Sequence, residues 1–426
     1  MMAYTFLIMI FASILLLMTL QPSRTLYIRL LSLPVLCIAF TICLVLFSDT
    51  AVKAAAKGLN LWAAVVVPSL FPFFIVSDLL RTSGFAYLAG ALLEPVMRPL
   101  FNVPGCSSLA LALGVASGYP VGARITTDLR KNNALTAAEA ERLLAFTNNS
   151  GPLFIIGAVG TGMLGSSAIG LFLYICHLLA CITVGLVFRF YKRTEKSSCH
   201  AKKHIWTDMK KKLSMLARKR PDPGTLLGDA VRNSVSSILA IGGFIVLFSV
   251  IISFLAETGL IRLTAAAVMH LLPKGIQHRD AEGVISGIIC GALEITTGAE
   301  TISRCAAVPI HVKLSALSLI IGWAGLSVHL QVKSIISETG INMRPYLLGK
   351  LLQGAAAAIY TWAGLKLVPT GSLAVRPVQS LPAFSMQSFF QTLGQSVWIP
   401  AAVIMIWICI VSVIWLQKDV KKKSST

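Results

Sequence analysis

Glu294 and Glu300 bracket the stretch "ALEITTGAE" (292–300), with Thr296, Thr297 and Gly298 between them and no basic residue nearer than Arg304. Glu294 stands inside an apolar run, and a carboxylate at membrane depth binds a cation, shuttles a proton or pairs with a base. Glu300 follows Thr297 by three residues, the spacing of a helix capping box, so it reads as a structural cap as well as a group for a coupling ion or proton. A second stretch, "ASGYPVGAR" (116–124), sets Ser117, Gly118, Tyr119, Pro120 and Gly122 ahead of Arg124. Glycine and proline there free backbone groups that a ligand can use. Arg124 could hold a carboxylate by a planar bidentate pair, or anchor the chain at the cytoplasmic interface. In "TNNSGP" (147–152), Asn148, Asn149 and Ser150 offer amide and hydroxyl groups beside unwound backbone, donors and acceptors suited to substrate oxygens or a sodium ion. His177 and His329 lie within apolar runs, where they relay protons or bond to a neighbouring helix.

Such groups need a frame. Of 426 residues, 56% are hydrophobic and 13% charged, with a mean hydropathy of +0.78, outside the range of soluble globular domains. The chain reads as an all-α polytopic membrane protein. Apolar runs long enough for a bilayer core of ~30 Å fall near 4–20, 28–47, 59–80, 168–190, 235–256, 346–367 and 396–416. The first lacks a basic leader and a cleavage site and is expected to stay as a helix. Two more, 140–163 and 312–331, are interrupted by "FTNNSGPLF" and "IGWAGLSVHLQ" and read as broken spans. The glycine-rich stretches 104–124 and 281–303 read as re-entrant hairpins. The expectation is about nine transmembrane helices and two such hairpins.

Net charge is +20, but its placement argues against nucleic acid. Eleven Lys or Arg face three acidic residues between Tyr191 and Gly224, and four lysines close the chain. Both segments read as cytoplasmic under the positive-inside rule. An external N-terminus puts Arg81, Arg98, Arg124, Arg130 and Lys131 on that side too, with Lys53 and Lys57 as exceptions. The nine cysteines are scattered and lack a C-x-x-C pair, which suits small core residues better than disulfides or a metal site.

Shifting the sequence by about 176 residues superimposes its unusual features. "SDLLRTSGFAYLAGALLEPVM" (77–97) answers "ISFLAETGLIRLTAAAVMHLL" (252–272), and "ASGYPVGAR" answers "ALEITTGAE". "TNNSGPLF" answers "GWAGLSVH", and "YICHLLA" answers "GKLLQGA", which sets His177 near Gln353. An odd number of crossings per unit turns the second copy upside down, the inverted-repeat plan of secondary transporters. The expected organisation is N-terminal helices over 1–50, a first repeat over 51–191, a basic loop over 192–224, a second repeat over 225–367, and a C-terminal helix and lysine tail over 368–426. Glycines in either hairpin also suit close helix packing.

The segments "GLNLWAAVVVPSLFPFFIVSDLL" (58–80), "LLEPVMRPLFNVPG" (92–105), "ASGYPVGAR", "AERLLAFTNNSGPLFIIGAVG" (140–160) and "GALEITTG" (291–298) resemble the YlbJ-type family of sporulation integral membrane proteins. That resemblance implies two gate, or nucleoside-recognition, domains similar to those of concentrative nucleoside transporters. It implies a place in the outer forespore membrane, a part in cortex and core maturation, and movement of dipicolinic acid. A flat aromatic dianion suits half-helix N-termini and an Arg; Glu294 repels it unless protonated or holding a cation.

The glycine pattern "GTGMLG" (160–165) follows no strand, and P-loop, H-E-x-x-H and nucleophile-elbow motifs are missing from the sequence. No catalytic residues, metal ligands or cofactor are therefore expected, and the chain does not read as an enzyme or an ATP-driven pump. The expected partners are a small anionic substrate, the lipid bilayer and a coupling cation or proton. A homo-oligomer, sporulation partner proteins, a nucleoside cargo and a non-transporting scaffold working through the basic loop stay open.

Overall fold

The computed structural model describes residues 25–82, 96–193, 222–271 and 281–367. Among the described residues the regular structure is helical, as expected where a bilayer leaves backbone groups no water to bond. The first part holds α1 (Thr25–Leu46), α2 (Ser48–Leu61), a π turn (Trp62–Val66) running into α3 (Val67–Thr82), α4 (Ser108–Ser117), α5 (Val121–Lys131), α6 (Ala137–Thr147), a π-helical segment (Leu153–Met163) and α7 (Ser167–Phe188). The second holds α8 (Pro223–Glu257), α9 (Leu260–Leu271), α10 (Ala281–Leu293), α11 (Ile295–Arg304), α12 (Ile310–Trp323), α13 (Leu326–Ile336) and α14 (Met343–Leu367).

Local sequence explains several of these starts. Thr136 and Glu139 form a reciprocal capping box at α6, Ser166 caps α7, and Asp222 accepts from Gly224 N ahead of α8 with Pro223 in its first turn. Three helical stretches, Ser167–Phe188, Pro223–Glu257 and Ile310–Ile336, are long and apolar enough to cross a membrane, and a bent pair, Pro34–Leu46 with Ser48–Ala64, makes a fourth. That pair turns by 100°. The stretches 4–20 and 396–416, the lysine tail and residues 194–221 of the basic loop lie outside the described residues. Both expected hairpins are broken where the glycines and the acid stand, at 118–120 and at 294, and both expected broken spans are split, at 148–151 and 324–325.

Helix boundaries recur along the chain. Ser48 and Pro223 begin helices, as do Val121 and Ile295, and Ser167 and Met343; Ser117 and Leu293 end them, as do Thr147 and Trp323. The members of each pair lie 174–176 residues apart. Two contacts join residues separated by 176: Trp62 Nε1 donates to Ile238 O at 2.9 Å, and His177 Nε2 lies 3.3 Å from Gln353 Nε2.

The interior lies around α7 and α14. Phe146 stacks on Phe101 beside Val184 and Tyr346, and Phe154, Leu173, Leu317 and Ile320 build a second apolar cluster. Leu179, Ile182 and Leu186 of α7 and Leu351, Ile359 and Trp362 of α14 are exposed, as a lipid-facing surface requires. At one end Glu141 accepts from Tyr191 Oη, Lys192 Nζ and Asn342 N. Nearby, Lys131 and Glu338 pair at 2.9 Å in the open; the bond and charge of each partner raise the Lys131 ammonium and lower the Glu338 carboxyl from their ordinary values. The pair therefore holds at neutral pH and is lost as pH falls through the lowered carboxyl value. The two lysines that broke the charge rule are also paired, Lys53 with Asp49 at 2.6 Å and Lys57 with Glu300 at 3.1 Å.

Candidate functional site

Gly118 ends α4 with φ +81°, a backbone conformation that side chains rarely adopt. A Cβ there would also lie 2.7 Å from Gly151 N, so the first hairpin break is seated on the break of the following span. The Tyr119–Pro120 peptide is cis, and α5 starts at Val121 with no side-chain cap. Tyr119 Oη reaches Ile321 O at 3.4 Å. Gly122 lies against the Thr147 carbonyl, which occupies the place a Cβ would take.

The second break is made by a carboxylate. Glu294 is extended and 2% exposed, and its oxygens accept from Thr296 N at 2.9 Å and Thr297 N at 2.6 Å. Two amides left orphaned by the start of α11 are thus satisfied by a negative charge at the positive end of the helix. This corrects the capping-box expectation for Thr297 and Glu300. The helix starts two residues before Thr297, and Glu300 pairs instead with Arg304 at 2.5 Å and Lys57. Gly298 packs directly on the Gly291 backbone, and Gly325, at φ +84°, lies over the Gly291 and Leu293 carbonyls.

All four breaks meet. Ser117, Gly118 and Tyr119, Ser150 and Gly151, Glu294 and Thr296, and Ser327 line one cavity of about 60 Å³, with Phe244 and Ile245 also in its wall. It has room for about two waters. A second cavity of about 440 Å³ lies against Pro120, Val121 and Arg124, with Asp78, Asp128 and Lys131 in its wall. That volume falls in the range of small-molecule sites. Arg124 faces this larger cavity and donates from Nη1 to Ser237 Oγ at 3.2 Å. Of the residues singled out by sequence, Ser117, Gly118, Tyr119, Ser150, Glu294 and Thr296 share the small cavity, while Pro120 and Arg124 line the larger one. Gly122 and Gly298 are packing positions, and Thr297 gives its amide to Glu294.

Asn148 and Asn149 are fully buried in a polar network that sequence reasoning only partly reached. Asn149 donates to Phe146 O at 2.7 Å and to Cys181 Sγ at 3.2 Å, and its Oδ1 accepts from Gln353 Nε2 at 2.8 Å and Lys350 Nζ at 3.3 Å. Lys350 also donates to Gln353 Oε1 at 2.7 Å and lies 5.4 Å from the centre of the Tyr119 ring. Asn148 donates to Tyr346 Oη at 3.2 Å, and His329 Nδ1 lies 3.3 Å from the same oxygen. Lys350, Gln353 and Tyr346 were not singled out as site residues; the available signal was a Lys and a Gln one turn apart inside an apolar span. Among the described residues, no three His, Cys, Asp or Glu side chains gather as a metal site requires.

A family model described as "Nucleoside recognition" (Gate) matches residues 63–187, which include both "ASGYPVGAR" and "TNNSGP". The sporulation integral membrane protein YlbJ of Bacillus subtilis (strain 168) is 41% identical over 317 residues, spanning 72% of this chain and 76% of that protein. Among solved structures, CNTnw in an intermediate state overlaps 71% of this chain and 76% of its own at 12% identity and a TM-score of 0.42. CNTnw in an inward-facing substrate-bound state overlaps 74% and 83%, at 12% identity and a TM-score of 0.41.

Proposed function

The chain belongs to the YlbJ-type family of sporulation integral membrane proteins, and from that premise we propose that it is a secondary carrier of a small anionic aromatic solute, dipicolinate, across the outer forespore membrane. The observation that carries this reading is the convergence of the helix breaks on one small cavity, whose largely apolar wall holds Ser117, Ser150, Glu294, Thr296 and Ser327. Helix breaks at membrane depth are tolerated where they line a cavity or are buried in protein, and secondary carriers place their substrate and ion sites among them. The constant offset of helix boundaries supports two related units over 51–191 and 225–367, which in this reading are opposed in the membrane and complete nine crossings with two re-entrant hairpins. Contacts between residues one offset apart support an approximate two-fold axis at Trp62/Ile238 and His177/Gln353.

In this reading the larger cavity is the vestibule. The charge rule puts its Arg124 and Lys131 on the cytoplasmic, mother-cell side; with Lys131 paired to Glu338 and Asp78 and Asp128 in the same wall, Arg124 is the group a carboxylate would meet there. The solute passes from there to the Pro120–Val121 start of α5, then to the small cavity as the two units rock. Purified protein in vesicles is expected to take up labelled dipicolinate saturably. Nucleosides serve as competitors, because the nucleoside-recognition match over 63–187 favours them as the second cargo class. Uptake of neither solute removes the carrier reading and leaves a scaffold.

Glu294 is the residue on which an inward-moving anion would founder unless its charge were cancelled, so its proton takes part in the cycle. Glu294→Gln is expected to lower dipicolinate uptake by about tenfold or more and to flatten its pH dependence, with cap loss costing about 1 kcal/mol. Uptake and melting of the same preparation separate the two effects. Undiminished, equally pH-dependent uptake would end the coupling role.

A further inference from the structure

Lys350 is 0% exposed. Its ammonium meets the amide oxygens of Asn149 and Gln353 and the face of Tyr119. The elements packed around it bring His177 and Cys181 from α7, Tyr119 from the first break, Tyr346 from α14 itself and His329 from α13. None of these is a carboxylate, and among the described residues no carboxylate lies within ion-pair distance of Nζ. A buried ammonium without a counter-charge is expensive, and two neutral carbonyl oxygens with an aromatic face are what a soluble cation would be offered. One of those oxygens belongs to Asn149, inside the 148–151 break, and unwound segments of this kind coordinate sodium or protons in secondary carriers.

We propose that the Lys350 ammonium is a tethered cation standing where a sodium ion would otherwise bind, so that the carrier's cycle runs without sodium. The proposal rests on the carrier reading for its functional meaning, and its test is chosen to stand apart from uptake. Thermal unfolding of the purified full-length protein is compared in sodium chloride and in choline chloride at equal ionic strength. Wild type is expected to melt at the same temperature in both. Lys350→Ala empties the position beside the Asn149 and Gln353 oxygens, and is expected to melt about 2–4 °C higher in sodium at saturating concentrations. A sodium-specific shift in wild type overturns the proposal, and so does a folded Lys350→Ala protein with no shift. Should that variant not fold, Lys350→Ser is read in the same way, and the wild-type comparison decides the matter if neither folds. Failure of dipicolinate uptake removes the carrier reading and leaves the sodium result untouched; if uptake is present, its rate is expected to agree within about twofold in the two salts.

Discussion

Gly122→Leu is expected to abolish solute uptake and to lower the melting temperature of the purified protein. The cause is local and steric. The Thr147 carbonyl fills the space that a Cβ on Gly122 would occupy, and Asn148 Cα lies 3.0 Å from the same point. A side chain must therefore push α5 off the end of α6, where the break of the broken span begins. Overpacking in a filled interior costs roughly 1–3 kcal/mol, and here the strain falls on the contact that holds the 118–120 break beside the cavity. Gly122→Ala, with one methyl, is expected to lose part of both properties. Gly157→Ala is the control, because a Cβ there meets nothing within 4 Å, and it is expected to match wild type. If Gly122→Leu transports and melts like Gly157→Ala, the seating of the hairpin on the broken span has no functional weight.

Asn149→Ala is the second large effect. Its side chain bonds Phe146 O, Cys181, Gln353 and Lys350 together. Removing it leaves a buried ammonium and a buried amide each short of an acceptor. Hydrogen bonds to charged groups are worth about 1.5–3 kcal/mol, and an orphaned buried group costs a further 1–3 kcal/mol. Uptake is expected to fall below detection, with a melting temperature several degrees lower. Asn149→Asp keeps the shape and an acceptor for Lys350, and is expected to recover stability more than transport, since it pins the ammonium in an ion pair. Equal behaviour of the two variants in both assays would falsify the network's role in transport.

The breaks were legible in the sequence because the residues that make them have few other uses at that depth. Gly118, Pro120, the Asn148–Asn149–Ser150 run and Gly325 all interrupt apolar helices by their own chemistry, and each sits at an observed break. The 176-residue offset was legible for the same reason, since it aligns those interruptions. Side-chain roles were harder to read. Glu294 caps α11 through two oxygens reaching forward over one turn, whereas the Thr297–Glu300 spacing imitated a cap one turn too late. Lys350 and Asn149 stand 201 residues apart, and their meeting depends on how α14 rotates against α6 and α12. Packing sets that rotation: Gly349 approaches Ala145, and Gly354 approaches Gly322. Periodicity within α14 alone does not fix it. The alignment of His177 with Gln353 did foreshadow their contact.

The start of α11, at the small cavity, and the start of α5, at the larger one, are not chemical twins. At α11 the amides of Thr296 and Thr297 are already held by Glu294, while α5 starts behind Pro120 with no side-chain cap. A helix start carries roughly half a positive charge, which the Glu294 carboxylate outweighs at α11 and which no side-chain cap offsets at α5. For the carrier proposed above, an anion would be drawn toward the start of α5 and repelled at the start of α11. Matched backbone architecture thus carries unmatched charge at its two ends.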